Sequence, residues 1–338
     1  MVAMPRTVVA LVLASTAVVA TACSSSTASS AGGGDVTLNL VAYSTPAPAY
    51  AKLIAAFQKT AAGEHVKFTQ SYGASGDQSN AVANGQAADV VEFSLETDMT
   101  KLVKKNLVAD DWNAGQYHGF VTDSVVVFVV RKGNPKDIKD WPDLVKSGIK
   151  VLTPNPFSSG SARWNILGAY GAAKKAGDSD QQAGDYLTSL FKNVPVQDAS
   201  GAKALTDFTS GTGDVLISYE NEAIYAQQKK QSVDYVVPND TLLIENPIAV
   251  TTTTKHPQQA EAFLDFLYSK AGQQIFADTG YRPVVQGVTP KTGAFPTPSG
   301  LFTIGDLGGW HAATTEFFDP TNGVLTKIEK SLGVSTTK

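Results

Sequence analysis

The chain has 338 residues and a formal net charge of −4, with 17% charged and 43% hydrophobic residues. This length and hydrophobic content are sufficient for one large or two medium globular domains. A weakly acidic chain without a basic patch does not fit nucleic-acid binding, so no nucleic-acid partner is expected.

The N-terminal segment has the pattern of an export signal. Arg6 precedes an apolar run over residues 8–20, and small residues then lead to Cys23. Cys23 is the only cysteine, so it cannot form an internal disulfide, and its position resembles that in a bacterial lipobox. This predicts a signal peptide over 1–22, and a lipidated Cys23 with a flexible tether over 23–35. A plain secretory signal or an uncleaved anchor is the alternative.

From residue 36 onward the patterns alternate between strand and helix. Because alternating strands and helices build mostly parallel sheets flanked by helices, the fold class is α/β. The predicted strands are 36–43, 66–71, 88–93, 124–130, 149–152, 194–198, 213–219 and 248–252. The predicted helices begin near 46, 76, 99, 138, 162, 185, 202, 220, 257 and 271, the second running through 87. Residues 301–338 have helical potential.

Small residues stand at four of the strand-to-helix corners, at Thr45, Ser75, Ser159 and Gly201. In open α/β sheets, ligands bind at such corners, beyond the carboxyl ends of the strands. In the stretch 153–164, Ser158 or Ser159 is a plausible N-cap, which leaves the backbone N–H groups of the first helical turn without partners. Such a helix start can bind an anion, although an ordinary capped helix is the alternative.

Enzyme motifs are missing from the sequence. It contains no Gly-x-x-x-x-Gly-Lys phosphate loop, no Gly-x-Ser-x-Gly elbow and no His-Glu-x-x-His metal motif. The histidines at 65, 118, 256 and 311 do not have metal-ligand spacing and are expected at the surface. We therefore expect no enzyme activity, metal or other cofactor, with a secreted hydrolase as the less favoured reading because a Ser-His-Asp set can assemble from distant positions.

Several segments together resemble the sulfate-binding proteins that serve bacterial sulfate and thiosulfate ABC importers. The segment 153–165, Thr-Pro-Asn-Pro-Phe-Ser-Ser-Gly-Ser-Ala-Arg-Trp-Asn, carries the resemblance most strongly, and segments 71–78, 127–136, 213–223 and 281–283 also match. The resemblance implies a two-lobed periplasmic-binding-protein type II fold with the ligand in the cleft between the lobes. It places lobe 1 in 36–128 and 246–338, and lobe 2 in 129–245.

The resemblance also implies how the anion is held, by uncharged donors at helix starts. The implied donors are the Thr45 N–H, the Ser75 and Ser159 hydroxyls, the Gly160 and Ser161 N–H groups, an N–H near Gly201, and Tyr219. Three positions depart from the family: Ser161 replaces a common glycine, Tyr219 replaces the tryptophan whose indole is a donor, and Thr45 replaces an aspartate. Arg163 is expected to support the loop from behind rather than to bind the ligand.

The donor set predicts the ligand. Sulfate is fully ionised at neutral pH and only accepts hydrogen bonds, whereas protonated phosphate needs an acceptor such as a carboxylate. Asp77 would favour phosphate if it faced the cleft, but we expect it to face solvent on the first helical turn. The implied partners are sulfate, an ABC permease and a separate ATPase subunit. The protein is expected to be an extracytoplasmic monomer that touches the membrane only through its lipid. Phosphate, molybdate and tungstate are the alternative ligands.

Overall fold

The computed structural model describes residues 35–334, so the predicted signal peptide and Cys23 lie outside the described residues. Ten strands and eleven α-helices are assigned within this range. The strands are β1 Val36–Tyr43, β2 Val66–Gly73, β3 Val90–Glu92, β4 Phe120–Arg131, β5 Val151–Leu152, β6 Val215–Tyr219, β7 Val233–Val236, β8 Asp240–Val250, β9 Arg282–Pro283 and β10 Gly300–Phe302. The helices are α1 Ala47–Phe57, α2 Ser75–Ala83, α3 Glu96–Val103, α4 Gly160–Lys175, α5 Asp180–Lys192, α6 Gly201–Thr209, α7 Glu220–Gln228, α8 Pro257–Tyr268, α9 Lys270–Asp278, α10 Gly309–Phe318 and α11 Val324–Ser331.

The strands form a mixed sheet in the order β2-β1-β3-β8-β4-β6-β5. β1 runs parallel to β2 and β3, and β5 runs parallel to β6, as the alternation predicts. The long strands β4 and β8 are antiparallel to each other and to β6 and β3, respectively, so the sheet is less uniformly parallel than expected. The two long strands therefore connect the two ends of the sheet.

Two large apolar cores lie at the two ends of this sheet. One contains β1, α1, α8 and α9, where Tyr50 and Phe57 pack on Phe263 and Phe276. The other contains β4, α4 and α5 together with the C-terminal helices α10 and α11. Trp164 on α4 contacts the ring of Trp310 at a centroid distance of 4.6 Å. The C-terminal tail thus packs on the core that α4 and α5 form.

Several elements differ from the prediction. The helix that starts at Ser75 ends at Ala83 rather than at 87, because Gly85 takes a φ of +105° that a continuing helix does not allow. The predicted helix 138–145 is a 3₁₀ turn at Trp141–Val145, with Pro142 at its start. Residues 194–198 contribute one bridge, between Val196 and Leu152, instead of a strand. β7 and the first half of β8 were not predicted.

None of the helices in residues 35–334 is long and apolar enough to cross a membrane.

Candidate anion site

Three helix starts converge on a small gap at the carboxyl ends of β1, β2 and β3. α4 begins at Gly160 after the N-cap Ser159, whose side chain accepts no capping hydrogen bond. The N–H groups of the first turn of a helix have no intrahelical partner, so those of α4 are free to bind an anion. α2 begins at Ser75, and α6 begins at Gly201 after Ser200. The gap is narrow and has no room for a water molecule as the segments stand; it is lined by Tyr43, Ser44, Gly73, Ala74, Ser75, Ser94, Ser159, Gly160, Ser161, Ser200 and Gly201.

This lining contains no charged side chain among the described residues. It consists of small residues and serines, with the Tyr43 ring as the one large group. Hydroxyls and backbone N–H groups can all donate hydrogen bonds. The positive ends of α2, α4 and α6 add to the same effect, because each helix dipole favours negative charge at its N-terminus. The gap is therefore suited to an anion that accepts hydrogen bonds and carries no proton.

The structure places five of the seven predicted binding residues along the gap: Ser75, Ser159, Gly160, Ser161 and Gly201. Thr45 lies outside the lining, and Ser44 lines it instead. The Thr45 hydroxyl donates to Glu222 Oε1 at 3.3 Å.

Tyr219 also lies outside the lining. It is fully buried at the end of β6, and its hydroxyl lies 2.6 Å from Ser94 Oγ. Ser94 itself lines the gap, directly beyond the carboxyl end of β3. The sequence analysis missed Ser94 and Ser44, although the rule that ligands bind at strand ends would have found both.

The serine hydroxyls of the gap already form hydrogen bonds with one another and with the chain. Ser159 Oγ and Ser161 Oγ lie 2.9 Å apart. The Ser75 hydroxyl donates to Asp98 Oδ2 at 2.7 Å and accepts the Ser94 N–H at 3.0 Å. Because a hydroxyl has one proton, Ser75 must turn away from Asp98 before it donates to a ligand.

Two glycines in the lining allow the close approach of neighbouring segments. A Cβ at Gly160 would lie 2.6 Å from Ser94 Oγ and 2.8 Å from Leu95 Cγ. A Cβ at Gly201 would lie 2.8 Å from Ser161 Oγ and 3.0 Å from Glu222 Oε2. Heavy atoms cannot approach this closely without a shift, so an alanine at either position would force the facing side chains to move.

Arg163 and Asp77 both lie outside the lining of the gap. Arg163 Nε donates to the carbonyl of Pro156 at 2.9 Å, and its guanidinium lies over the Phe318 ring at 4.7 Å. It does not line the gap, so these contacts hold the loop before α4 from behind. Burial lowers the pKa of Arg163, while nearby Asp98 opposes that shift. Asp77 is exposed on the first turn of α2 and does not line the gap.

Glu222 is a buried carboxyl directly behind the gap. It accepts the Ser218 hydroxyl at 2.6 Å and the Thr45 hydroxyl at 3.3 Å. Burial raises its pKa to about 7, and the two hydroxyl donors oppose that shift. No ion pair in residues 35–334 includes Glu222. Across the same part of the chain, no group of histidine, cysteine and carboxylate side chains is arranged to hold a metal ion.

Comparison with known proteins assigns the chain to a family. Residues 38–282 match the family described as bacterial extracellular solute-binding protein. A sulfate-binding protein of Synechococcus elongatus is 42% identical over 311 residues, which cover 89% of this chain and 88% of the relative. The chain belongs to the bacterial extracellular solute-binding proteins. Within this family it is similar to the thiosulfate-binding protein of Pseudomonas aeruginosa, at 35% identity over 85% of this chain and 90% of the relative.

The fold agrees with this family assignment. The solved structure of the sulfate-binding protein SubI from Mycobacterium tuberculosis has a TM-score of 0.80 to this chain at 44% identity. The match covers 84% of this chain and all of that one. The predicted family resemblance and the predicted two-lobed periplasmic-binding-protein type II fold are thereby confirmed.

Proposed function

We propose that this protein captures the sulfate dianion in the gap between its helix starts and delivers it to an ABC permease. The observation that carries the proposal is the lining of the gap, which holds hydroxyl and N–H donors and no charged side chain among residues 35–334. Sulfate accepts hydrogen bonds at every oxygen and donates none. Each donor that faces it in such a site therefore meets an acceptor. The names of the relatives from Synechococcus and Mycobacterium support the same ligand.

The same lining argues against protonated phosphate. Phosphate near neutral pH carries a proton, which needs an acceptor in a buried site because an unpaired polar group costs about 1–3 kcal/mol. Two carboxyls lie behind the lining, and both already accept hydroxyl hydrogen bonds. Glu222 lies behind Gly201 and is bonded to Ser218 and Thr45, and Asp98 accepts the Ser75 hydroxyl. Asp77 lies outside the gap. Molybdate and tungstate are dianions without protons, so only the size of the gap can discriminate against them. Thiosulfate shares the charge and most of the shape of sulfate.

Binding would stabilise a closed arrangement of the two lobes. The lobe boundaries fall inside β4 and β8 if lobe 1 is 36–128 with 246–338 and lobe 2 is 129–245. The packing of α10 and α11 argues for assigning the tail to the second lobe. Ser75 and Ser94 would then face the α4 start from the opposite lobe, and an anion bound to both sides would favour closure. The permease would recognise that closed form, and a separate ATPase subunit would supply the energy.

The remaining parts of the proposal concern the cell and the chemistry. We infer an extracytoplasmic, monomeric binding protein held at the membrane by a lipid on Cys23, with no catalytic step. Treatment of cells with a signal-peptidase inhibitor specific for lipoproteins should leave the precursor uncleaved. A Cys23→Ala variant should likewise stay at the mass of the precursor, because this cleavage requires the lipid-modified cysteine. A wild-type chain that keeps the precursor mass without the inhibitor would instead favour an uncleaved anchor.

Calorimetric titration tests the ligand. The chain from residue 35 onward is titrated with sulfate, thiosulfate, molybdate and phosphate at pH 7.5. We expect sulfate to bind, phosphate to bind at least about 100-fold more weakly, and Ser159→Ala to weaken sulfate binding about tenfold, as for one hydrogen bond to a charged group. Ser189→Ala is the matched control, because the Ser189 hydroxyl donates to the Asp185 carbonyl within α5. Preferential binding of phosphate would contradict the proposal.

A further inference from the structure

The position where the family resemblance implies an indole donor holds Tyr219, and this side chain does not line the gap. Tyr219 is fully buried at the junction of β6 and α7. Its hydroxyl lies 2.6 Å from Ser94 Oγ, and no other hydrogen-bond partner of that hydroxyl is found in residues 35–334. As the protein stands, Tyr219 therefore contacts Ser94 rather than the space a ligand would fill.

Ser94 connects Tyr219 to the gap. Its side chain lines the gap and lies against the first turn of α4, since a Cβ on Gly160 would be 2.6 Å from its Oγ. Its backbone is fixed on both sides. The Ser94 N–H donates to Ser75 Oγ at 3.0 Å, and the Ser94 carbonyl accepts the Trp164 indole N–H at 2.7 Å. Ser94 is 1% exposed, so these bonds fix its backbone at the edge of the gap and protein atoms enclose its side chain.

The direction of the Tyr219–Ser94 bond follows from the charge of a bound anion. Either hydroxyl of the pair is able to donate. If Ser94 donated to Tyr219, its lone pairs would face the anion, which is unfavourable. If Tyr219 donates to Ser94, the Ser94 proton is left for the anion, and the two bonds in series strengthen each other. Burial raises the pKa of Tyr219 well above its usual value, so the phenol retains the proton it must donate.

We propose that Ser94 is an additional hydrogen-bond donor to the bound anion, and that Tyr219 is a positioning residue that acts through Ser94. This inference depends on the proposed function, since it concerns the same gap and the same dianion. In this chain the serine hydroxyl supplies, at the gap, the donor that the tyrosine does not place there itself.

A double-mutant cycle on sulfate binding tests the inference. Wild type, Ser94→Ala, Tyr219→Phe and the double variant are titrated with sulfate by calorimetry, and thermal unfolding of each ligand-free protein is recorded. We expect Ser94→Ala to weaken sulfate binding about tenfold or more, as for one hydrogen bond to a charged group. Tyr219→Phe should weaken it several-fold. The double variant should bind no more weakly than Ser94→Ala, because Tyr219 acts only through Ser94.

Matched controls separate this role from a general loss of stability. Ser79→Ala removes a fully buried hydroxyl that donates to the Asp98 carbonyl. Tyr186→Phe removes a phenol that donates to the Trp141 carbonyl. Both should lower the unfolding temperature while leaving sulfate affinity within about twofold of wild type.

Each remaining outcome decides against part of the proposal. Wild-type sulfate binding that Ser94→Ala leaves unchanged would show that Ser94 is not a donor. Additive losses in the double variant would show that Tyr219 does not act through Ser94. A wild-type chain that binds none of the four oxyanions would overturn the proposed function, and the inference with it, which is a different result from either of these.

Discussion

Replacing Gly160 by alanine should block the closed arrangement of the site without unfolding the protein. The added Cβ would lie 2.6 Å from Ser94 Oγ, 2.7 Å from Ser94 Cβ and 2.8 Å from Leu95 Cγ. Ordinary contacts begin near 3.4 Å, so α4 and the segment after β3 would have to separate by about 0.8 Å. That movement would lengthen the Trp164 Nε1–Ser94 O hydrogen bond from 2.7 Å beyond the usual range.

The cost of this separation sets the expected loss of affinity. Inserting one methyl group into a closely packed region costs about 1–3 kcal/mol. If the open form bears none of that cost, the whole cost falls on the closed, sulfate-bound form. Sulfate affinity should then fall about 5–150-fold, because binding must bring α4 and the segment after β3 together. The ligand-free protein should unfold within a few degrees of wild type, since it can relax by opening.

Sulfate titration and thermal unfolding of Gly160→Ala measure both quantities. Gly184→Ala is the matched control, because Gly184 lies within α5 and an added Cβ there has open space. That control should bind sulfate normally and be slightly stabilised, since alanine favours a helix over glycine. If Gly160→Ala bound sulfate as tightly as wild type, the close approach of Gly160 to Ser94 would not belong to the bound form.

Two further predictions concern stability. Arg131→Ala should lower the free energy of unfolding by about 2–3 kcal/mol, because the Arg131 guanidinium donates to the carbonyls of Phe208, Thr212 and Gly213. Chemical denaturation measures this, and a loss no larger than that of Lys132→Ala, whose ion pair is exposed, would contradict it. Glu92→Gln should stabilise the protein increasingly as pH rises. Burial raises the pKa of Glu92 to about 8, so from about pH 5 to about pH 8 only the unfolded state ionises and wild-type stability falls. The urea midpoints of wild type and Glu92→Gln at about pH 5 and at about pH 8 test this. An equal difference between the two proteins at both pH values would refute it.

The sequence predicted best the elements that short-range patterns determine. β1 has the predicted bounds because its apolar and polar residues alternate, and α8 has the predicted bounds because Pro257 sits at its start. The start of α4 was placed within two residues, since small residues after two prolines mark a helix start. The C-terminal end of α2 was wrong and the first half of β8 was not predicted, because a positive φ at Gly85 and pairing with β4 determine them.

The sequence predicted the site residues that lie at a single strand-to-helix corner. It did not predict the contacts between segments that are distant in sequence. Ser75, Ser159 and Gly201 stand at helix starts that local sequence reveals. The contact between Ser94 and Tyr219 joins residues 125 positions apart, so no local sequence pattern predicts it. The same holds for Glu222, whose place behind Gly201 depends on how α7 and α6 pack.

A crystal structure with selenate, measured at the selenium absorption edge, tests the central claim most directly. Selenate has the charge and shape of sulfate, and its selenium gives an anomalous signal that identifies the anion. The account predicts one strong peak in the gap, with oxygens in hydrogen-bond range of the Gly160 and Ser161 N–H groups and the Ser94 hydroxyl. A peak elsewhere, or a gap that stays empty while selenate binds in solution, would contradict it.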